Sequence, residues 1–289
     1  MQKLTKEKIK NLLFLGRYNY PTGAFLLMWP CFWGVLYEPN YELNLFKILG
    51  LFFIGSFVMR GVGCCINDYF DKDLDKKVYR TKNRPLAKGL LNDRDLSIFI
   101  ILQLFIGLVV VLNFNLKVIF FSFLIIPLVV IYPLFKRVTY LPQVFLGLVF
   151  NWGIVIGFLT QNSELNLGII FLYCSGIFLT IAYDTIYAFQ DIKDDKSSGI
   201  KSLAILIEKK PTLSLALFFF LNYLFLNLSI LQSTKINITN LFIITSLILI
   251  CHIRQLFIFK KRREFKSIFD FNIYVGGLIT LIIFVKNYL

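Results

Sequence analysis

Two acidic clusters hold most of the chemistry open to this sequence. The first runs Asn67-Asp68-Tyr69-Phe70-Asp71-Lys72-Asp73-Leu74-Asp75; the second is Asp191-Ile192-Lys193-Asp194-Asp195, with Asp184 seven residues earlier. They contain eight of the 17 acidic residues, which is too uneven for a scattered solvated surface. On a helix Asn67, Asp71 and Asp75 fall at i, i+4 and i+8 and share one face, and Asp191 and Asp195 are likewise i, i+4. Like charges so placed destabilise a helix by about 0.2–0.5 kcal/mol per pair, and by more near apolar surroundings, unless cations compensate. Oxygen ligands from two facing helices suit magnesium, which keeps some waters and completes its shell with substrate phosphates. Alternatively these are two solvated loop faces whose acids pair with Lys72, Lys76, Lys193 and Lys196. Two matched clusters favour the metal.

Basic residues stand where a diphosphate would need them. Arg60 precedes Asn67 by seven residues and falls on the same helical face; Arg80, Lys82 and Arg84 follow the first cluster, and Lys201 follows the second. Together with magnesium they could stabilise the charge of a departing diphosphate. Membrane anchoring suffices to explain Lys76, Lys77, Lys209 and Lys210. Arg60 differs, because an arginine inside an apolar span needs a partner or a cavity.

The elements that carry these residues are membrane spans. The chain has 289 residues, 57% of them apolar, and a mean hydropathy of +0.70. Its apolar runs do not alternate, so helices and not a β-barrel are expected. Nine spans are read at 21–37, 44–66, 95–113, 117–134, 142–160, 166–187, 211–231, 238–257 and 269–286. With the N-terminus inside, 26 of the 31 basic residues fall in inside segments or, for Arg254, at the inner end of the span 238–257. Outside segments hold only Lys47, Lys117, Lys235 and Lys286, and Arg60 lies within a span. The net charge of +14 is therefore an orientation signal and not a nucleic-acid footprint. Both acidic clusters are expected to face the cytoplasm or matrix.

The basic N-terminus lacks a small-residue cleavage site and reads as an anchor, not a signal peptide. Cys31, Cys64, Cys65, Cys174 and Cys251 have no zinc-ligand spacing and read as packing residues. The one histidine, His252, excludes chemistry that needs several, and a packing or interfacial role is expected for it. No linker or low-complexity segment interrupts the chain, so 1–289 reads as one integral-membrane domain. The two clusters, about 115 residues apart, each end an even-numbered span and precede a basic segment. That echo suggests two pseudo-repeated halves around a central cavity.

These residues resemble a family. Asn-Asp-x-x-Asp-x-x-x-Asp at 67–75 and Asp-x-x-x-Asp at 191–195 are similar to the two signatures of UbiA-type intramembrane prenyltransferases. The resemblance extends from Arg17-Tyr-Asn-Tyr-Pro-Thr-Gly23 and Leu27-Met-Trp-Pro30 to Lys201-Ser202 and beyond. Arg80-Thr-Lys-Asn-Arg-Pro-Leu86, the stretch 132–143, Asn151-Trp152-Gly153 and Tyr183-Asp-Thr-Ile-Tyr187 resemble the 4-hydroxybenzoate polyprenyltransferase branch of ubiquinone biosynthesis. One departure is Phe189, where relatives often carry His or Met.

The resemblance implies an all-α bundle of about nine spans with a polar pocket and a side opening to lipid. It implies Mg2+ held by Asn67, Asp71, Asp75, Asp191 and Asp195 against a polyprenyl diphosphate. Ionisation would give an allylic cation, attacked by the ring carbon ortho to the hydroxyl of 4-hydroxybenzoate. Arg60, Arg80, Arg84 and Lys201 would face the diphosphate. Arg137 is the candidate for the acceptor carboxylate, since a guanidinium matches it in bidentate geometry; a topology anchor is the other reading. Other acceptors (a naphthoate, homogentisate or haem) stay open. So does a cation transporter, although that would not explain cations beside acids on one membrane face. The expected setting is a bacterial or mitochondrial inner membrane.

Overall fold

The computed structural model describes residues 2–41, 43–162, 164–233 and 237–288, and every regular element among them is helical. Lys235 lies outside the described residues. Seven helical stretches are long and apolar enough to cross a membrane. They are α3 (Leu45–Asp75), α4 (Asp93–Val111), the broken stretch Leu116–Val138, α9 (Leu167–Ala188), α12 (Pro211–Ser233), α13 (Ile238–Lys261) and α14, which is Phe265–Val285 with a final 3-10 turn to Tyr288. Two shorter apolar helices, α2 (Thr22–Tyr37) and α8 (Pro142–Phe158), occupy the remaining expected positions, and a four-residue helix, α11 (Leu203–Leu206), precedes α12.

Local chemistry sets the boundaries. Asparagine starts five of these helices: Asn44, Asn92, Asn115 and Asn166 each accept a bond from the backbone N–H three residues on, and Asn237 from the one two residues on. This satisfies a donor that the first turn leaves free. The sequence predicts a single span over 117–134. The structure shows a longer, broken stretch: α5 (Leu116–Leu124), α6 (Ile126–Ile131), a 3-10 turn at Tyr132–Leu134 and α7 (Phe135–Val138). Pro127 and Pro133 explain the breaks, because each lacks the N–H that a continuous helix requires. The basic N-terminal stretch, expected only as an anchor, is itself a helix, α1 (Gln2–Leu15). Lys8 ties it to Asp95 of α4 at 3.0 Å.

Burial shows which helices are central. In α9, 61% of the most apolar window is buried, against 11% for 116–138. The peripheral stretches therefore meet lipid with residues such as Ile101, Phe105 and Phe120. The bundle centre closes where α2 meets α8 without side chains between them. A Cβ on Gly157 would come within 2.3 Å of the Cys31 carbonyl oxygen, and one on Gly34 within 2.1 Å of that of Ile154. Small residues permit this approach where lipid supplies no hydrophobic drive.

Helix length then positions the acids. At about 1.5 Å per residue, the 31 residues of α3 run some 46 Å, well past a hydrocarbon core of about 30 Å. The last turns of α3, which bear Asn67 to Asp75, can thus stand clear of the apolar layer while the helix stays anchored in it. The second acidic pair is placed differently. It is not a continuation of α9: the chain turns at 189–191 and starts a separate short helix, α10 (Ile192–Ser198), which ends on Gly199 at φ 71°. The i, i+4 relation survives, since Asp195 N donates to the Asp191 carbonyl at 2.8 Å.

Candidate active site

The two acidic stretches converge on one cavity of about 270 Å³ at the end of the bundle where α3 and α9 terminate. Nine of the ten side chains singled out from the sequence line it: Arg60, Asn67, Asp71, Asp75, Arg80, Arg84, Asp191, Asp195 and Lys201. Arg137 does not. It is exposed at the rim, and its Nη2 donates to the Phe70 carbonyl at 2.7 Å.

The face of α3 is sorted by depth. The side chains of Asp68, Asp71 and Asp75 are 1%, 3% and 9% exposed, whereas Asp73 is 77% exposed and pairs with Lys76 at 2.8 Å. Each inward carboxylate has a cation. Lys136 pairs with Asp71; Arg84 bridges Asp68 and Asp75 at 2.9 and 2.8 Å. Across the cavity Arg80 grips both oxygens of Asp191 at 2.6–3.0 Å. Among the described residues no three acidic, histidine or cysteine side chains close on one point as a metal cage. The donors instead form two facing arrays. Asp71 Oδ1 is buried without a hydrogen-bond partner, which leaves one hard oxygen directed into the site. That donor set fits magnesium, which needs only one or two carboxylates alongside waters and phosphate oxygens.

Asp68 belongs to the first motif but performs a different task. Arg17 donates to both of its oxygens at 2.8–2.9 Å and to the carbonyls of Phe14 and Leu15, which cap the end of α1. Arg17 reaches them from a left-handed backbone at φ 61°, uncommon for a residue with a side chain. The chain Arg17–Asp68–Arg84–Asp75 therefore links α1, α3 and the following loop. Asp68→Ala would leave two guanidinium groups short of a carboxylate in a largely buried setting. A loss of about 3 kcal/mol is expected, read as a lower midpoint of thermal unfolding in detergent; an unchanged midpoint would dissolve the network.

Deeper in the cavity the lining becomes aromatic. Arg60 lies two turns below Asn67 on α3, about 10 Å along the axis, beside Phe150, Tyr132, Tyr183 and Asp184. Its guanidinium carbon is 5.2 Å from the Phe150 ring centre, and its Nε is buried with no hydrogen-bond partner. Gly23 makes room for it: a Cβ there would fall 2.4 Å from Arg60 Nε.

Lys136 and Arg17 stand in the family-like stretches 132–143 and 17–23, but the sequence assigns neither a role in the site, because their acidic partners lie 65 and 51 positions away. Asp184 also lines the cavity, and a carboxylate inside an apolar span is itself a signal of function. Phe189 packs edge-on to Phe259 at 5.1 Å and does not line the cavity.

Comparison with known proteins agrees with this geometry. The model of the UbiA prenyltransferase family matches residues 27–275. The chain is 44% identical over 196 residues to the mitochondrial 4-hydroxybenzoate polyprenyltransferase of Drosophila melanogaster, across 66% of this chain and 49% of that protein. It thus spans about half the length of that relative. It is 42% identical over 214 residues to the 4-hydroxybenzoate octaprenyltransferase of Shewanella woodyi, across 74% of each. Among solved structures, the apo UbiA homologue of Aeropyrum pernix superposes with a TM-score of 0.76 at 22% identity, over 92% of this chain and 98% of that one. The UbiA homologue of Archaeoglobus fulgidus bound to GPP and Mg2+ superposes with a TM-score of 0.71 at 18% identity, over 96% and 100%. The shared fold, the matched family model and the two facing acidic arrays agree: this chain is a multi-pass membrane protein that belongs to the UbiA prenyltransferase family.

Proposed function

We propose that the chain transfers a polyprenyl group from its diphosphate to the ring carbon ortho to the hydroxyl of 4-hydroxybenzoate, as in ubiquinone biosynthesis. The observation that carries this reading is a single cavity with acids and cations at its mouth and an aromatic floor. The names of the relatives support the acceptor. When bound, magnesium supplies the positive charge that makes diphosphate a leaving group.

Asn67, Asp71, Asp75, Asp191 and Asp195 are the residues that would hold the metal. Arg80, Arg84, Lys136 and Lys201 supply positive charge for the diphosphate oxygens at the same level. As the C–O bond breaks, the diphosphate leaves with the electron pair. The allylic carbon is then faced by Tyr132, Phe150, Tyr183 and Tyr187, whose π faces favour a cation and exclude water. The ring carbon adds to it and then gives up its proton, which restores aromaticity.

For the acceptor carboxylate the geometry favours Arg60 over Arg137. Every other cation of the lining is engaged: Arg80 by Asp191, Arg84 by Asp68 and Asp75, Lys136 by Asp71, and Lys201 Nζ by the Val138 carbonyl at 2.9 Å. Arg60 alone has a buried free donor and an aromatic setting that matches a benzoate ring. The test of the overall reading is product formation by purified protein from labelled polyprenyl diphosphate and 4-hydroxybenzoate, run beside naphthoate and homogentisate. Transfer to another acceptor only, or ion flux without transfer, would overturn it.

Two further expectations follow from charge. Burial and the nearby Asp191 charge raise the pKa of Asp195 to about 6. Below that pH the carboxyl holds its proton, and it must release it to bind a cation. Affinity for Mg2+ should therefore fall by up to about tenfold per pH unit as pH drops from 6. Calorimetric titration at pH 5 and pH 7 checks this, and equal affinities would remove Asp195 from the set. From the distribution of basic residues we infer that the N-terminus, both acidic arrays and the segment 258–268 face the cytoplasm or matrix. Single cysteines introduced near 78 and 197 should resist an impermeant reagent added from outside. Strong outside labelling at either would reverse the topology.

A further inference from the structure

A second cavity, of about 490 Å³, lies between α13 and α14 at the same end of the bundle and shares no residue with the acidic site. Arg254, Lys266, Ser267, Asp270, Phe271 and Tyr274 line it. The cost of Arg254 demands an explanation. It lies seven residues before the end of α13, about 10 Å along the axis. Its neighbours on that face, Ile250, Ile253 and Phe257, are 51–58% exposed, and Tyr274 opposite is 71% exposed. In a membrane this is a lipid-facing surface. An arginine there is costly unless it snorkels to the interface and meets a counter-ion.

Among the described residues no carboxylate pairs with Arg254. The Arg254 guanidinium stacks on Phe271 with its carbon 4.2 Å from the ring centre, and Lys266 Nζ lies 4.5 Å from that of Tyr20. Neither forms an ion pair within the described residues. The one carboxylate in the cavity, Asp270, is turned toward the start of α2, where Oδ1 accepts bonds from the Tyr20 hydroxyl and from Thr22 Oγ1. The lining thus has two cations and one carboxylate, a net charge of +1, with the Ser267 hydroxyl beside them. That balance suits one phosphodiester. It does not suit the larger charge of a diphosphate, and no facing pair of acids is present to hold a metal for one. The cavity lies near the end of α13, and the exposed Ile250 and Ile253 continue from Arg254 away from that end as an apolar track for acyl chains.

The geometry points to a binding site for the phosphodiester headgroup of an anionic membrane phospholipid, held by Arg254 and Lys266 on the side of the acidic arrays. This site is separate from the reaction cavity and does not depend on which acceptor is prenylated. The test is lipid retention by purified full-length protein in nanodiscs and in detergent, followed by native mass spectrometry. The probes are phosphatidylglycerol, phosphatidylcholine, diacylglycerol and inorganic phosphate. Phosphatidylglycerol should be retained in preference to phosphatidylcholine, and diacylglycerol should not be held. Each of Arg254→Gln and Lys266→Gln should weaken retention about fivefold, as expected for one cation at a membrane surface. Arg254→Lys should keep most of the binding. The preference of the unaltered protein should shrink as salt is raised through 0.5 M, which tests the site even if a variant misfolds. Equal retention of all three lipids, or unchanged retention in both glutamine variants, would overturn the proposal. So would displacement of phosphatidylglycerol by millimolar inorganic phosphate, which would make this a soluble-anion site. Displacement by the prenyl diphosphate donor at equimolar amounts would make it a substrate site instead.

Discussion

Asp71→Ala is expected to lower prenyl transfer by about 100-fold or more, on the scale seen when one preorganised electrostatic group is removed from a reacting centre. Asp75→Ala, Asp191→Ala and Asp195→Ala should do the same. Asp73→Ala, only two residues from Asp71, should change the rate no more than about threefold. The contrast comes from the helix and not from the motif. Asp71 and Asp75 lie on the inward face of α3, at 3% and 9% exposure, and Asp73 lies on the outward face at 77%. Rates are to be measured with labelled donor at saturating acceptor, after each variant is shown to insert and to remain monodisperse. A chelator should abolish transfer in the unaltered protein, and excess Mg2+ should restore it. Equal activity of Asp71→Ala and Asp73→Ala would defeat the helical-face argument. Activity indifferent to chelation would remove the metal from the mechanism.

That contrast also shows how much of the molecule the chain discloses before it is folded. A period of four among Asn67, Asp71 and Asp75 is a local property, and a 31-residue helix preserves it. The apolar runs likewise mark the spans, since length against membrane thickness is a local constraint. Tertiary choices are not local. Nothing near Asp71 shows that its cation will be Lys136, brought round by the breaks at Pro127 and Pro133. Arg17, 51 positions from Asp68, is in the same case. Arg137 and Lys136 are adjacent in the chain and both basic, so composition cannot choose between them. The local turn of α7 sends Lys136 to Asp71 in the cavity and Arg137 to the Phe70 carbonyl at the rim. A helical reading gave Asp191 and Asp195 their correct spacing but missed that they need a helix of their own. The break at 189–191 turns α10 from the axis of α9, and Asp194 is thereby able to accept from Tyr79 N at 3.2 Å in the loop after α3.

Arg60 gives the second large effect, because its replacement should separate acceptor binding from donor chemistry. A charge-assisted contact to a carboxylate is worth about 1.5–3 kcal/mol. Arg60→Ala should therefore lower acceptor kcat/KM by roughly tenfold to a hundredfold, mostly through KM, and leave donor KM within about threefold. Arg60→Lys should recover part of the loss, since an ammonium lacks the planar fork. Gly23→Ala should shift the same parameter without touching the charge, because the added methyl would fall 2.4 Å from Arg60 Nε and displace the guanidinium. Arg137→Ala completes the matrix. Its side chain is exposed and bonded to a backbone carbonyl, so acceptor kinetics should change little. Both substrates must be varied for all four variants, since a general loss of packing would lower kcat for donor and acceptor alike. If Arg137→Ala raises acceptor KM and Arg60→Ala does not, the carboxylate binds at the rim. The aromatic floor would then serve the allylic cation alone, and Arg60 would act as a counter-charge to Asp184.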